Sequence, residues 1–465
     1  MISVFKFYYH YSNKTYNDES KFTMKSFNLL LIALIFNASC QAQVLKDDTE
    51  RSKQIYSWIL AGEFGKVHAE FDSTIAARVD STKLANAWVN LTEKVGAFVK
   101  VTDIRTEKEN GIDVIIHASE FEKRKVDFKV IFGLDNKLKG IFFVPVVKKY
   151  VFDDPAYLDS TKFHESKQYV ITGDYKLPAT LTYPKNVNKP PVAILVHGSG
   201  PNDRDETVGN TKIFRDFAVG LAAQGVAVLR FDKRTRNYRK KMAEEVKKLT
   251  VKEETMDDVL SAIETVKRDS LLNSKRIYLI GHSLGGMLLP RIAKENSDVS
   301  GIVMLAANSR PIEDLMLEQA EYLSANDSSE NVQDLMDSLR AAVPRIKALS
   351  KQNENDTIGI LGIPTSYWLD LKTYDQVKTA AELKLPILIL HGERDYQVTD
   401  TDFSLWRSGL KNSGNVLFRS YPKSNHLFIA GEGKSLPAEY DVAGHVEKSV
   451  VDDIASFILT GKIKE

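Results

Sequence analysis

The stretch Ile277–Pro290, IYLIGHSLGGMLLP, constrains this chain more than any other. An apolar run reaches a serine flanked by glycines, and small residues then lead into a second apolar run, which predicts strand, sharp turn and helix. Gly281 and Gly285 bracket Ser283 at the spacing GxSxG because a serine on so tight a turn leaves no room for neighbouring side chains. Its hydroxyl is thereby raised at a helix N-terminus, where unpaired backbone amides, beginning with that of Leu284, face any negative oxygen that forms nearby. A plain tight turn would satisfy the same residues. The β-prone Arg276–Ile280 before it and the apolar Gly286–Ile292 after it favour the reactive serine.

Around this turn the pattern is that of strands covered on both faces. Val192–Val196, Val226–Phe231, Arg276–Ile280, Gly301–Leu305, Ile387–Leu390 and Val416–Tyr421 are near-continuous apolar runs. Helical segments alternate with them at Thr211–Gln224, Thr255–Arg268, Met287–Lys294, Thr401–Lys411 and Val446–Leu459. Such alternation predicts an α/β fold, a doubly wound, mostly parallel sheet whose ligands bind at the carboxyl ends of its strands. A hairpin of Gln168–Thr172 and Ala179–Tyr183 about the Gly173-Asp174 turn is expected at its antiparallel edge.

The glycine-bracketed turn resembles the nucleophile elbow of the α/β-hydrolase superfamily, and the ends of other strands carry what that resemblance implies. His197-Gly198-Ser199-Gly200 is similar to the loop that supplies a second oxyanion donor; position assigns the donor to the amide of Ser199, with Gly198 allowing close approach of substrate. His391-Gly392-Glu393-Arg394-Asp395 places the acid at Asp395, which would orient a histidine ring. Glu393, Asp400 and Asp402 compete nearby, and surface placement is expected for all of them. His426, past the last strand in Ser424-Asn425-His426-Leu427, takes the role of general base. His445 stands where the final helix begins and suits a cap or surface role. The chain order Ser283, Asp395, His426 is that of the superfamily.

Asn202–Thr207, NDRDET, continues a HGSGP run that resembles a signature of secreted bacterial esterase-like hydrolases in the serine aminopeptidase branch. With the other motifs, the resemblance covers most of Gln168–Leu459. Asp203 and Arg204 are expected either to pair and lock this loop or, for Arg204, to meet a substrate carboxylate. Phe231–Arg236, FDKRTR, departs from the branch's RFDxRGxGxS run at Thr235 and Asn237, so pocket contacts are not carried over to it. Pro311–Ala381 is too long for a simple connection and is expected to form a mobile helical cap (311–381) from Glu313–Leu323, Val332–Leu349 and Tyr367–Val377. Tyr322, Tyr367, Trp368 and Leu369 are candidates to line the pocket, with His282 as a further substrate contact; apolar residues at helical spacing also serve simply as packing.

The amino-terminal part is of another kind. Met24–Ala42, MKSFNLLLIALIFNASCQA, has a basic start, an apolar centre too short to span a bilayer and a small-residue finish, the pattern of a secretory signal. Met24 is read as the initiator, and residues 1–45 as upstream extension plus signal. The protein is then secreted or periplasmic, cleaved after Ala42 or, since Ala38-Ser39-Cys40 resembles a lipobox with Asn37 a poor match, lipid-anchored at Cys40. Cys40 is the one cysteine in 465 residues, which excludes an intrachain disulfide. Residues 46–147 read as helices at Glu50–Leu60, Phe64–Phe71 and a Ser81-capped stretch through Leu91, then strands at Phe98–Arg105, Ile112–Ala118, Val126–Leu134 and Leu138–Val144. That order resembles the small α+β domains of the nuclear transport factor 2-like class. It implies positioning, lid support or homo-oligomerisation, with His68 and His117 as structural histidines. A linker at 148–167 leads to the second domain, 168–465.

A net charge of +1 with lysines and glutamates interleaved points to solvated surface and no nucleic-acid partner. No metal-ligand spacing, phosphate loop or dinucleotide fingerprint occurs, so no cofactor or metal is expected. The function these readings imply is a secreted serine hydrolase of carboxylesterase type, cleaving a small-molecule ester through an acyl-enzyme. A serine aminopeptidase-like peptidase or a thioesterase would use the same parts, and a non-catalytic binding or assembly scaffold is the alternative outside catalysis.

Overall fold

A computed structural model describes residues 48–463 apart from 110–111, 134, 147–151, 245–248, 327–329, 354–355 and 357–358. The expected export segment, with Cys40, lies outside the described residues. The chain divides into two compact units, one carried by residues 48–146 and one by 152–463.

In the first unit, helical backbone over 48–60 leads to helices Phe64–Glu70, Ser73–Ala76 and Ser81–Val95. Asp80, rather than Ser81, caps the longest of the three by accepting the amide of Lys83 at 2.8 Å, and Gly96, at φ 81°, ends it. Strands β1 (Phe98–Glu109), β2 (Ile112–Phe121), β3 (Lys125–Phe132) and β4 (Leu138–Pro145) follow as an antiparallel sheet in that order, giving the expected α+β unit. Its core is aromatic: Tyr56 stacks on Phe128 at 4.3 Å between centroids, and Phe128 on Phe143 at 4.8 Å. Ser52 donates its hydroxyl proton to Thr49 O at 2.7 Å, so the 2.8 Å bond between Ser52 Oγ and His117 must be donated by Nε2–H. Burial pushes the His117 pKa down to about 4. His68 bonds Ala76 O at 3.2 Å, so both histidines are structural. A cavity of about 360 Å³ opens among apolar side chains that include Ile59, Leu84, Trp88 and Phe143.

In the second unit, β5 (Phe163–Thr172) and β6 (Tyr175–Pro184) form the hairpin, paired from Phe163↔Pro184 to Thr172↔Tyr175. It is longer than expected and begins inside the predicted linker, because His164–Gln168 of this edge strand are consecutive polar residues with no apolar alternation and so resemble a connection in sequence. The remaining strands are β7 (Val192–Val196), a short ribbon of β8 (Thr207–Val208) with β9 (Thr211–Lys212), β10 (Ala227–Phe231), β11 (Ile277–His282), β12 (Val299–Leu305), β13 (Ile387–Gly392) and β14 (Val416–Tyr421). The sheet has eight strands in the order β14-β13-β12-β11-β7-β10-β6-β5, parallel from β14 to β10. Successive side chains feed opposite cores: Val192, Ile194 and Val196 enter one apolar cluster, Ala193 and Leu195 the other. Strand order reverses between β7 and β11, since β10 lies on one side of β7 and β11 on the other. The His197–Gly200 loop and Ser283 stand at the carboxyl ends of those two strands, the position at which ligands bind in open sheets of this kind.

The insertion after β12 is helical as expected, with Ile312–Ser324, Glu330–Ala348, Thr365–Lys372 and Gln376–Glu382. Its ends are fastened to the sheet unit. Arg310 pairs with Glu318 at 2.5 Å and with Asp402 at 2.7 Å, Lys294 pairs with Glu382 at 2.6 Å, and Asn415 Nδ2 donates to Leu385 O at 2.6 Å. Asp370 receives both terminal nitrogens of Arg291 at 3.0 and 3.1 Å, and Tyr374 donates to Met287 O at 2.8 Å, docking the third cap helix on the helix that follows Ser283. Trp368 is 1 % exposed and donates Nε1–H to Ile360 O at 3.2 Å, so it packs the cap instead of lining a pocket. Tyr367 is likewise buried, its hydroxyl donating to Glu254 Oε2 at 2.6 Å. Both side chains are engaged in packing and in these bonds within the chain.

Candidate active site

The turn after β11 is built by the absence of side chains. A methyl group at Gly281 would lie 2.6 Å from the Gly285 carbonyl, and one at Gly285 would collide with the Val196 carbonyl. Strand β7, the turn and the helix Leu284–Glu295 can close to this distance only with glycine at both positions. Ser283 sits between them at φ 53°, ψ −119°, a left-handed conformation costly for a serine, and its amide donates to Leu305 O at 2.8 Å. The helix starts at Leu284, earlier than the expected Met287, so its first amides lie directly behind the serine.

His426 and Asp395 come together. His426 Nδ1 donates to Asp395 Oδ2 at 2.6 Å, while Asp395 Oδ1 accepts the amides of Gln397 and Val398 at 2.7 and 3.0 Å. An acceptor-only carboxylate fixes the proton on Nδ1 and leaves Nε2 its lone pair, the tautomer a general base requires. Burial holds the His426 pKa below the ordinary imidazole value, with Asp395 pulling the other way. His282, next to Ser283 in the chain, ties the two loops: its Nε2–H donates to His426 O at 3.0 Å. Ser283, Asp395 and His426 are only 6 %, 5 % and 4 % exposed.

His282 was a candidate substrate contact, and the structure assigns it elsewhere. It is 3 % exposed, and its Nδ1 lies 3.3 Å from Glu206 Oε1, close enough to attract charge but not aligned as a hydrogen bond. Burial alone would lower its pKa, yet Glu206 and the His426 carbonyl outweigh burial and raise it. Glu206, itself at φ 47°, accepts the Gly198 amide at 2.7 Å. Burial favours its acid form, but His282 and its other neighbours hold its pKa below the usual carboxylate value. On the other side of this loop Lys233, 2 % exposed, donates to Gly198 O at 3.1 Å and to Glu254 Oε1 at 2.6 Å. A methyl added at Gly198 would stand 3.2 Å from the Ser283 β-carbon, which places the predicted close-approach loop against the serine. Among the described residues the Ser199 amide has no acceptor.

Arg204 makes a structural ion pair, with Asp232 in place of Asp203. Its guanidinium holds Asp232 through Nε at 2.9 Å and Nη2 at 3.2 Å and reaches Thr180 Oγ1 at 3.3 Å. The fork is filled by a carboxylate of the chain itself, and Asp203 instead braces the loop by accepting the amides of Asp205 and Thr207. Asp402, expected at the surface, is fully buried and accepts the amides of Ser309 and Arg310 at 2.8 and 3.0 Å; Glu393 and Asp400 are exposed as expected. Tyr322 stacks on Tyr396 and donates to Ser435 O, and His445 contacts Asp216 at 3.2 Å where the last helix begins. The sequence reading missed Glu206, Lys233 and Glu254. The one available signal was a carboxylate and a lysine in the segments just after two buried strands.

Residues 204–432 match the family described as serine aminopeptidase, S33, and residues 52–141 match one described as a protein of unknown function, DUF3887. Esterase EstD of Thermotoga maritima is 35 % identical over 387 residues, covering 83 % of this chain and 89 % of that relative. The chain belongs to the α/β-hydrolase superfamily. It is an esterase-type hydrolase, preceded by a small unit of the DUF3887 family. Among solved structures, the hydrolase is similar to Est1E from Butyrivibrio proteoclasticus (19 % identity, TM-score 0.41, 63 % of this chain and 97 % of that one). It is also similar to the acylaminoacyl peptidase of Pyrococcus horikoshii (14 % identity, TM-score 0.43, 79 % and 51 %).

Proposed function

We propose that this hydrolase is a carboxylesterase in which Ser283, His426 and Asp395 form a catalytic triad. The observation that carries the reading is the 2.6 Å bond from His426 Nδ1 to an Asp395 already saturated by backbone amides, next to the turn that raises Ser283. Ser283 Oγ attacks the ester carbonyl while His426 Nε2 takes its proton. The tetrahedral oxyanion is received by the amides of Leu284 and Ser199. His426 then returns the proton to the leaving alkoxide, and water, activated by the same ring, releases the acid from the acyl-enzyme. Esterase EstD supports an ester over other acyl substrates, whereas the serine aminopeptidase description favours an amide. The test is labelling by a fluorophosphonate, expected on the wild type and absent in Ser283→Ala, followed by turnover of short p-nitrophenyl esters against aminoacyl anilides. Faster anilide cleavage would replace the esterase with an aminopeptidase; no labelling of folded protein would leave a scaffold.

The leader pattern of Met24–Ala42 supports export, and the protein acts outside the cytoplasm. Mass spectrometry of the mature N-terminus should find it after Ala42, or at a lipidated Cys40; a chain retaining Met24 would end that reading.

A further inference from the structure

Gly198 is gripped by buried charge at both of its peptide groups. Its N–H is held by Glu206 Oε1 at 2.7 Å, and its carbonyl by Lys233 Nζ at 3.1 Å and Asn202 Nδ2 at 3.3 Å. The Gly198 carbonyl and the Ser199 N–H belong to one planar trans peptide and point in opposite directions. Whatever fixes that carbonyl therefore aims that N–H. We infer that Lys233 and Glu206 are positioning residues of the oxyanion hole, Lys233 orienting and polarising the 198–199 peptide from behind. This rests on the assignment of the Ser199 amide as an oxyanion donor above.

Several observations converge on this role. A lysine 2 % exposed is expensive to bury, and its place here is not needed to fill the core, since an apolar side chain of similar length would do so at less cost. Its ammonium is aimed by Glu254, which stands on a π-turn, Lys252–Met256, an irregularity that recurs at functional sites. The other Glu254 oxygen takes the Tyr367 hydroxyl at 2.6 Å, so the cap helix, Glu254, Lys233 and the oxyanion peptide form one buried chain of hydrogen bonds. A cation on the carbonyl side draws electron density from the peptide and makes its N–H a stronger donor when the oxyanion forms. On its other side Glu206 Oε1 has His282 Nδ1 at 3.3 Å. Glu206 fixes the preceding peptide, so the loop cannot rotate about Gly198, the residue with the most freedom to do so.

The test uses the full chain and p-nitrophenyl acetate. Lys233→Met should lower kcat roughly ten- to hundredfold with KM within about twofold, because the contact is improved only when the oxyanion forms. Affinity for a trifluoromethyl ketone, which forms an oxyanionic adduct on a serine, should fall by the same factor as kcat. Since Lys233→Met strands Glu254, Lys233→Met with Glu254→Gln is the companion variant, expected to regain thermal stability while kcat stays low. Lys233→Arg should recover part of kcat, and Tyr367→Phe should lower it about two- to threefold through Glu254. A folded double variant with wild-type kcat and ketone affinity overturns the inference. If that variant does not fold, wild-type kcat and ketone affinity in the single Lys233→Met variant overturn it. Failure of the underlying reading looks different: wild-type enzyme unlabelled by fluorophosphonate, or activity that survives Ser283→Ala.

Discussion

His117 and His282 are equally hidden from water and behave oppositely. In the small unit, His117 has a serine hydroxyl for company and meets Tyr56 edge-on and Phe128 at a tilt, and burial drives it towards neutrality. In the sheet unit, His282 faces the carboxylate of Glu206, and the same burial is overridden. The difference extends to the surroundings. The small unit packs aromatic rings around a neutral polar pair, Tyr56 hydroxyl to Ser119 at 2.9 Å. The sheet unit buries Lys233, Arg234, Glu254, Asp258, Asp402 and Asp453, each matched to an opposite charge or to amides. Desolvating an ion is costly, and each of these charges is met by a partner that offsets that cost.

The contrast can be broken at several levels. Ser283→Ala should reduce kcat by on the order of 10⁶ with unchanged thermal stability, measured on p-nitrophenyl esters; comparable activity would remove the reason for the buried charges. Asp395→Asn should cost about 10⁴ in kcat, because the amide favours the wrong tautomer of His426. A loss below tenfold would mean that the carboxylate merely packs. Next, Asp258→Ala, which strands Arg234 from a bidentate pair of 2.5 and 2.7 Å, should cost about 3–5 kcal/mol in urea unfolding. Phe128→Ala in the small unit should cost a similar ~3–5 kcal/mol, through a cavity, while fluorophosphonate labelling of Ser283 persists. Loss of labelling there would show that the two kinds of core are not independent.

The smallest effect is on pH. His117 titrates near 4 in the folded chain against an ordinary value of 6.5. Between those values the unfolded chain binds the extra proton, so stability present above pH 6.5 is lost as pH falls to 4. At 1.36 kcal/mol per pH unit, and allowing for partial solvent screening, the loss is about 2 kcal/mol. Hydrogen exchange of β2 amides should show it, and His117→Gln should flatten the profile; an unchanged slope would separate His117 from the aromatic core.

What the sequence made legible were the features with a local signature. The glycine-bracketed Ser283, the acid of His391–Asp395 and the histidine after β14 all lie at the ends of apolar runs, where neighbours in sequence are neighbours in space. The boundaries that slipped were those set at a distance: the first half of β5, residues 163–167, reads as linker because only its pairing with β6 makes it a strand. Buried charge was invisible for the same reason. Lys233 and Glu254 are 21 positions apart, and Arg310 and Asp402 are 92 apart, so nothing local distinguishes them from solvated surface. Arg204 looked available for substrate because Asp232, which fills its fork, is 28 positions away.

The fastening at Arg310, Glu382 and the Leu385 carbonyl clamps both ends of the cap to the sheet unit. The cap's interior is not separate from the core beneath it: Met336, Leu339, Ile346, Ile360 and Ile363 join the same apolar cluster as Val192, Ile302 and Ile387, so a rewritten cap is felt by the strands as well.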